Sequence, residues 1–372
     1  MVNKFFSEIK GNFGFGCMRL PMNGEDVDIE QTKKMVDAFL DSGFNYFDTA
    51  HGYINQKSEL ALRECLTSRY PRDKYILTNK LSGNYFNSEE DIIPLFNSQL
   101  EACGVDYFDF YLMHAQNARG FEKYKRCRAY ETAFKLKEEG KVKHVGFSFH
   151  DRAEVLDTIL NEYPQIEVVQ IQFNYLDYSD PAVQSKLCYD VCVKHGVPCI
   201  IMEPVKGGTL IKLPEDGEKA VEKFGISKAE LAIRFAASFD NNMMVLSGMS
   251  TIEQMEENIA FMKDFKPLTD EEYKLIDDVV YSFKALELIK CTSCRYCVEG
   301  CPMHISIPDL FSCHNTKIQT KSWNANMYYN VHTTGKGKAS DCIKCGKCES
   351  ICPQNLPIRE LLVKVAEEFE RR

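Results

Sequence analysis

Residues 143–203 read KHVGFSFHDRAEVLDTILNEYPQIEVVQIQFNYLDYSDPAVQSKLCYDVCVKHGVPCIIME. Three short apolar runs, Lys143–Ser148, Val168–Phe173 and Pro198–Glu203, are separated by two stretches of helical spacing, Glu154–Asn161 and Leu187–His195. Short runs alternating with amphipathic helices are the pattern of parallel strands, which need a long crossover because a tight hairpin cannot join them. The alternation continues in both directions. Runs at Phe13–Met18, Asn45–Thr49, Tyr75–Asn79 and Phe108–Met113 precede the quoted stretch, with helical spacing at Gln31–Ser42, Glu89–Cys103 and Glu131–Glu139, and Met243–Ser247 follows it. Eight alternating units predict an α/β fold, a (β/α)8 TIM barrel; on pattern alone, an open doubly wound sheet is the alternative.

After the eighth run come two more helical stretches, Ile252–Lys263 and Asp270–Leu288, and then the composition shifts to Cys, Lys and polar residues. The expected division is a barrel over 1–285 and a small domain over 286–372. A length of 372 residues accommodates both, and 44% hydrophobic with 27% charged residues is the composition of a protein with a sizeable core. A formal charge of −9 argues against nucleic-acid binding, which needs a basic face. From Leu286 onward, however, 12 basic residues face 9 acidic ones, a surplus that suits bound anionic clusters. No apolar run long enough to span a bilayer is expected, and the start of the chain has no signal-peptide pattern, so a cytoplasmic location is expected. In such a chain the 16 cysteines read as metal ligands and buried thiols rather than disulfides.

Eight of them form two copies of one spacing. Cys291, Cys294, Cys297 and Cys301, followed by Pro302, are repeated as Cys342, Cys345, Cys348 and Cys352, followed by Pro353. Three closely spaced thiolates fit three corners of a 4Fe-4S cubane, and in two-cluster ferredoxins the fourth Cys, beside proline, ligates the other cluster. Crosswise ligation then pairs Cys291, Cys294 and Cys297 with Cys352, and Cys342, Cys345 and Cys348 with Cys301. Zinc is the alternative, although its sites usually join two separated C-x2-C knuckles. Helical flanks at Ile307–Cys313 and Ile358–Phe369 make this region resemble the α-helical dicluster ferredoxins found in subunits of respiratory and disulfide reductases.

In the barrel, Asp48-Thr49-Ala50-His51-Gly52-Tyr53, with Ser58-Glu59 shortly after, ends the second run; Asn79-Lys80 ends the third and Met113-His114 the fourth. Strand ends of a TIM barrel line its catalytic rim, so Asp48, Tyr53, Lys80 and His114 are expected to converge there. With this motif the region 1–285 resembles the aldo/keto reductases. The resemblance implies an oxidoreductase in which Tyr53 gives a proton to a carbonyl oxygen, Lys80 supplies the cation a phenol needs near neutral pH, Asp48 orients Lys80, and His114 positions the carbonyl.

The same resemblance implies a nicotinamide cofactor held by Ser148, Gln170, Asn174, Met202, Ser247, Gly248, Ser250, Gln254 and Asn258. Phe149 stands where the family usually has Asn, and Met202 replaces an aromatic. Gly248 and Gln254 occupy the places of a basic pair that commonly grips a 2′-phosphate, which implies that NADH serves at least as well as NADPH, unless a cation such as Lys206 reaches in. The expected partners are a small carbonyl substrate and a redox protein, either a ferredoxin or a flavoprotein. A nicotinamide moves two electrons as hydride and a 4Fe-4S cluster accepts one, so a flavin is a possible further cofactor, with a flavin-containing ferredoxin-linked enzyme or a non-catalytic electron-transfer subunit as alternative functions.

Overall fold

The computed structural model describes residues 3–370 apart from 182, 285–287, 292 and 353. Two compact units divide the chain. The first comprises the chain up to Asn174 with Ser185–Val205 and Ala229–Thr269; the second comprises Tyr175–Gln184, Lys206–Lys228 and the chain from Asp270 onward. The division expected near 285 falls on 285–287, outside the described residues.

In the first unit, β1 (Phe13–Gly16) leads to a small antiparallel hairpin, β2 (Met22–Asn23) with β3 (Asp26–Val27). The barrel continues through β4 (Tyr46–Asp48), β5 (Ile76–Leu81), β6 (Phe108–Gln116), β7 (Val142–Phe149), β8 (Val168–Gln172), β9 (Cys199–Met202) and β10 (Asn242–Ser247). Each pairs in parallel with the next, and β10 returns to β1, closing the TIM barrel that the repeat predicts. Helices connect the strands, and local sequence sets their ends. Before α1 (Ile29–Asp41), the Asp28 carboxylate accepts the Gln31 N–H at 3.0 Å, and Thr32, Met35, Val36 and Phe39 bury the helix's apolar stripe.

Side chains two apart on a strand share a face, and this period places the polar rim directly above the core. Tyr46, Phe110 and Leu112 belong to the buried cluster with Ile76, Val168, Ile200 and Met244. Two residues beyond Tyr46 is Asp48, and two beyond Leu112 is His114. At the end where the strands begin, Phe5 and Phe6 pack on this cluster, and the Phe6 ring meets Phe110 edge-on at 5.2 Å.

His144 sits beside that plug, with Nε2 2.8 Å from Glu8 and Nδ1 2.9 Å from Glu167. An imidazole facing two carboxylates donates from both nitrogens only when protonated. Burial opposes charge at all three groups, yet hydrogen bonds outweigh it, from both glutamates at His144, from the backbone and His144 at Glu8, and from His144, Lys137 and the Val145 N–H at Glu167. They hold His144 above its ordinary 6.5 and both glutamates below 4.5. The His144 contribution is full below 6.5 and is lost as pH rises through its raised value; the glutamate contributions are present above 4.5 and are lost as pH falls through their lowered values. Replacing His144 by Gln should therefore flatten the decline of melting temperature on the alkaline side of pH 6.5. An unchanged slope in melts from pH 6 to 9 would remove His144 from that decline.

The second unit has its own core, in which Ile305, Ile307, Leu310, Phe311, Tyr328, Ile358, Leu362 and Val365 are buried. It is built from α8 (Glu215–Phe224), α11 (Asp270–Lys284), α13 (Ile307–Thr320), α14 (Asn324–Thr333) and α16 (Ile358–Phe369), with single turns α12 (Tyr296–Glu299) and α15 (Lys347–Ser350). Polar ties bring its separate segments together. Lys206 Nζ donates to Asp177 at 2.5 Å with both side chains buried, and Ser312 Oγ donates to Asp180 at 3.3 Å.

Candidate active site and cluster-binding cysteines

Lys80 is fully buried at the end of β5, and its ammonium donates to Asp48 Oδ1 at 2.6 Å, to the Thr49 carbonyl at 2.8 Å and to the Tyr53 hydroxyl at 3.3 Å. All three partners lie in the segment that the motif marked. Burial disfavours the charge on this ammonium, but Asp48 and Tyr53 more than offset that and hold Lys80 above its ordinary value. Gln170 Nε2 holds the other Asp48 oxygen at 3.2 Å. An unpaired buried charge is costly, and here three contacts share it.

The Tyr53 and His114 rings meet edge to face with centroids 5.9 Å apart, so the phenol, the ammonium and the imidazole lie together. One expectation changes in detail. Lys80 pulls the phenol down, but burial outweighs that pull and Tyr53 stays above its ordinary value, protonated at neutral pH. His114 is driven well below its ordinary value, chiefly by desolvation and next by the charge of Lys80, so its ring is neutral. Ser82 Oγ lies 2.7 Å from His114 Nδ1, which leaves Nε2 as the ring's other polar atom.

Beneath this rim, Glu59 is 1% exposed and accepts from Asn79 at 2.8 Å and from Gln99 at 3.3 Å, with His51 Nδ1 2.9 Å away. Ser58 donates to the Cys17 carbonyl at 2.9 Å, so the 2.8 Å contact between Ser58 and Thr49 is donated by Thr49. The sequence marked Ser58-Glu59 but neither Gln99, which joins this network, nor Ser82, which holds His114.

The residues expected at the cofactor lie in or just after β7 to β10, with Gln254 and Asn258 on the helix that follows β10. Ser148 Oγ accepts the Ala115 N–H at 2.7 Å, and Ala115 has φ 54°, a strained turn at the end of β6. Asn174 donates to the Glu203 carbonyl at 3.1 Å, and Met202 ends β9 opposite Gln172. Asn258 donates to Ser247 Oγ at 3.0 Å, and the Gln254 side-chain oxygen accepts the Ser250 N–H at 2.8 Å. Thr251 caps the start of α10 (Ile252–Lys263), and Gln254, tied back to Ser250, brings no cation. Lys206, considered for that task, is 1% exposed and bound to Asp177, so it supplies none either.

In the second unit, the cysteine repeat is also a backbone repeat. Left-handed φ occurs at Ser293 and Lys344, at Arg295 and Gly346, and at His304 and Asn355, each pair at the same place in its copy. Cys297 and Cys348 then fall in the single turns α12 and α15. The cavities cross the copies. Cys291, Cys294, Cys297 and Cys352 line one, walled by Ile307, Phe311 and Ile358; Cys301, Cys342, Cys345 and Cys348 line another, walled by Met303, Ile305 and Leu362. About 330 Å³ of space free of protein atoms, part of it open to solvent, lies among the residues of each. Four soft thiolate donors in a largely apolar shell, with Lys347 and Arg359 beside the second set, suit an anionic 4Fe-4S cluster, so the donor set fits the group. Burial pushes the Cys297 thiol up to about 12, a proton that a cluster must displace. The other eight cysteines are all buried.

A closed parallel barrel with this rim, joined to a cysteine-lined helical unit, defines an oxidoreductase of the aldo/keto reductase class carrying an iron–sulfur domain. The chain belongs to the aldo/keto reductase family, whose model matches residues 12–280, and a 4Fe-4S dicluster domain matches residues 290–357. It is similar to an aldo-keto reductase of Mycobacterium avium, 28% identical over 233 residues that cover 62% of this chain and 75% of the relative. It is also similar to the NADH-specific methylglyoxal reductase of Escherichia coli, 22% identical over 273 residues covering 60% and 81%. An aldo-keto reductase from Klebsiella pneumoniae, solved with NADPH, shares the fold at a TM-score of 0.60 and 19% identity, covering 74% of this chain and 95% of that one. No described helix is long and apolar enough to cross a membrane.

Proposed function

We propose that the barrel reduces a small aldehyde or ketone with a nicotinamide cofactor, and that the C-terminal domain passes single electrons between a redox partner and two 4Fe-4S clusters. The observation that carries the first part is the contact chain from Asp48 through Lys80 to Tyr53, with His114 beside the phenol. When bound, the nicotinamide supplies hydride to the carbonyl carbon. The protein's task is the proton and the charge. Tyr53 holds a proton at its hydroxyl, Lys80 stabilises the negative charge that develops as the proton leaves, and Asp48 with Gln170 keeps Lys80 in place. His114, neutral and fixed by Ser82, orients the carbonyl oxygen between itself and Tyr53.

Ser148, Gln170, Asn174 and the segment from Ser247 to Asn258 fit the cofactor by their position on the rim. Because hydride carries two electrons, the clusters stand outside this step and serve a partner, a ferredoxin or flavoprotein, in a cytoplasm that keeps thiols reduced. The test is one preparation of the full chain, purified and reconstituted anaerobically, analysed for iron, sulfide, zinc and flavin, then assayed with NADH and NADPH on an aldehyde and ketone panel that includes methylglyoxal. About eight irons and nucleotide oxidation that depends on a carbonyl are expected. Stoichiometric zinc would remove the clusters. Bound flavin with no carbonyl-dependent oxidation would replace the nicotinamide reading with a flavin one.

A further inference from the structure

The two copies of the cysteine run build their cavities from matching positions. Phe311 on the wall of the first cavity answers to Leu362 on the second, and Leu356 to Ile305. The match holds for shape but not for charge. Tyr296 and Pro308 line the cavity of Cys291, Cys294, Cys297 and Cys352. At the same two places in the other copy stand Lys347 and Arg359, which line the cavity of Cys301, Cys342, Cys345 and Cys348. No charged residue among the described ones lines the first cavity. Arg359 is held by its own copy: its Nε donates to one Glu349 oxygen at 2.8 Å, and its backbone N–H donates to the other at 2.8 Å. A Cβ built on Gly346, between Cys345 and Cys348, would lie 3.9 Å from the Arg359 guanidinium carbon. Lys347 is exposed at the start of α15, and no carboxylate among the described residues pairs with it.

Each electron that a redox partner delivers adds one negative charge to a site that four thiolates already make anionic. A cation beside the site stabilises the reduced form more than the oxidised one, and a protein wall screens that attraction less than bulk water does. Resting on the two clusters proposed above, we propose that the sites differ in reduction potential, that the site of Cys301, Cys342, Cys345 and Cys348 is the higher, and that Lys347 and Arg359 set this order. Glu349 offsets part of the Arg359 charge and leaves that of Lys347. Two exposed charges act the other way, Lys290 before Cys291 and Asp341 before Cys342, but neither lines a cavity and water screens both. The first electron from the partner therefore rests at the second site, and the first site fills only at a lower potential.

The experiment is a potentiometric titration of the reconstituted full chain with dithionite, followed by electron paramagnetic resonance. Wild type should be reduced in two separate one-electron steps. Lys347→Met keeps most of the stem and removes the charge. It should move the upper step about tenfold toward the oxidised form, about 59 mV, the scale of one nearby charge, and leave the lower step in place. Arg359→Met should move the same step in the same direction. Two double variants assign the steps: Cys301→Ser with Cys345→Ser keeps the first site, Cys294→Ser with Cys352→Ser keeps the second, and the second should show the higher potential. Coincident steps in a wild type that holds about eight irons, an upper step that Lys347→Met leaves unmoved, or the higher potential in the variant that keeps the first site overturns the order while the clusters stand. A wild-type chain that takes up no iron removes the clusters, and the order with them.

Discussion

Tyr53→Phe is expected to lower carbonyl turnover by a factor of about 10² or more, because general acid catalysis typically supplies that much. The change removes one oxygen. The ring keeps its edge contact with His114 and its place 4.8 Å from the Lys80 ammonium, and Lys80 keeps Asp48 and the Thr49 carbonyl. Folding and cluster absorbance should therefore match wild type, and the loss should fall on turnover rather than on nucleotide binding. The phenol is protonated near neutral pH and stands 3.3 Å from the Lys80 ammonium, so the proposed reaction would remove its proton where Lys80 can stabilise the charge. Lys80→Met is a poorer probe of the chemistry. It strands Asp48 as a buried charge, and breaking a buried pair costs about 3–5 kcal/mol, so instability would blur the result. Full carbonyl-reducing activity in Tyr53→Phe would end the proposed role of this phenol, whatever the fold.

Iron content should separate crosswise ligation from ligation within each copy. Cys301 belongs to the first copy, yet it lines a cavity with Cys342, Cys345 and Cys348. If that cavity holds a cluster, the double variant Cys301→Ser with Cys345→Ser touches one cluster only and should keep about four of about eight irons. The double variant Cys294→Ser with Cys301→Ser touches both cavities and should lose nearly all of them. Ligation within each copy gives the reverse result for the two variants. Cys297 and Cys348 lie in the apolar core of their unit and Cys291, Cys301, Cys342 and Cys352 pack against it, so losing a cluster should also lower the stability of that unit. Carbonyl turnover at Tyr53 should survive in the variant that keeps four irons, because hydride chemistry does not need the clusters. Wild-type iron in both variants would rule out these cysteines as ligands.

The amino-acid sequence by itself determined the eightfold alternation, the two cysteine copies, and the order of Asp48, Tyr53, Lys80 and His114. Each of these is local: a strand repeats every two residues, a helix every 3.6, and a cluster-binding run needs its thiolates within a few positions. Strand ends were legible for the same reason, since the period that buries Tyr46 and Leu112 brings Asp48 and His114 to the rim. Only the tertiary structure decided which distant groups meet there. Gln170 holds Asp48 from 122 residues away, Ser82 fixes His114, and Ser250 meets Arg19 across 231 residues. The expected helix Leu187–His195 begins earlier, at Ser185, whose hydroxyl is tied to the Gln172 carbonyl by a contact with no local signature. Lys206 shows the limit most plainly. It stood as one candidate cation for a phosphate, but folding buries it against Asp177, because a buried ammonium must find a carboxylate and only the packed chain shows which one is near.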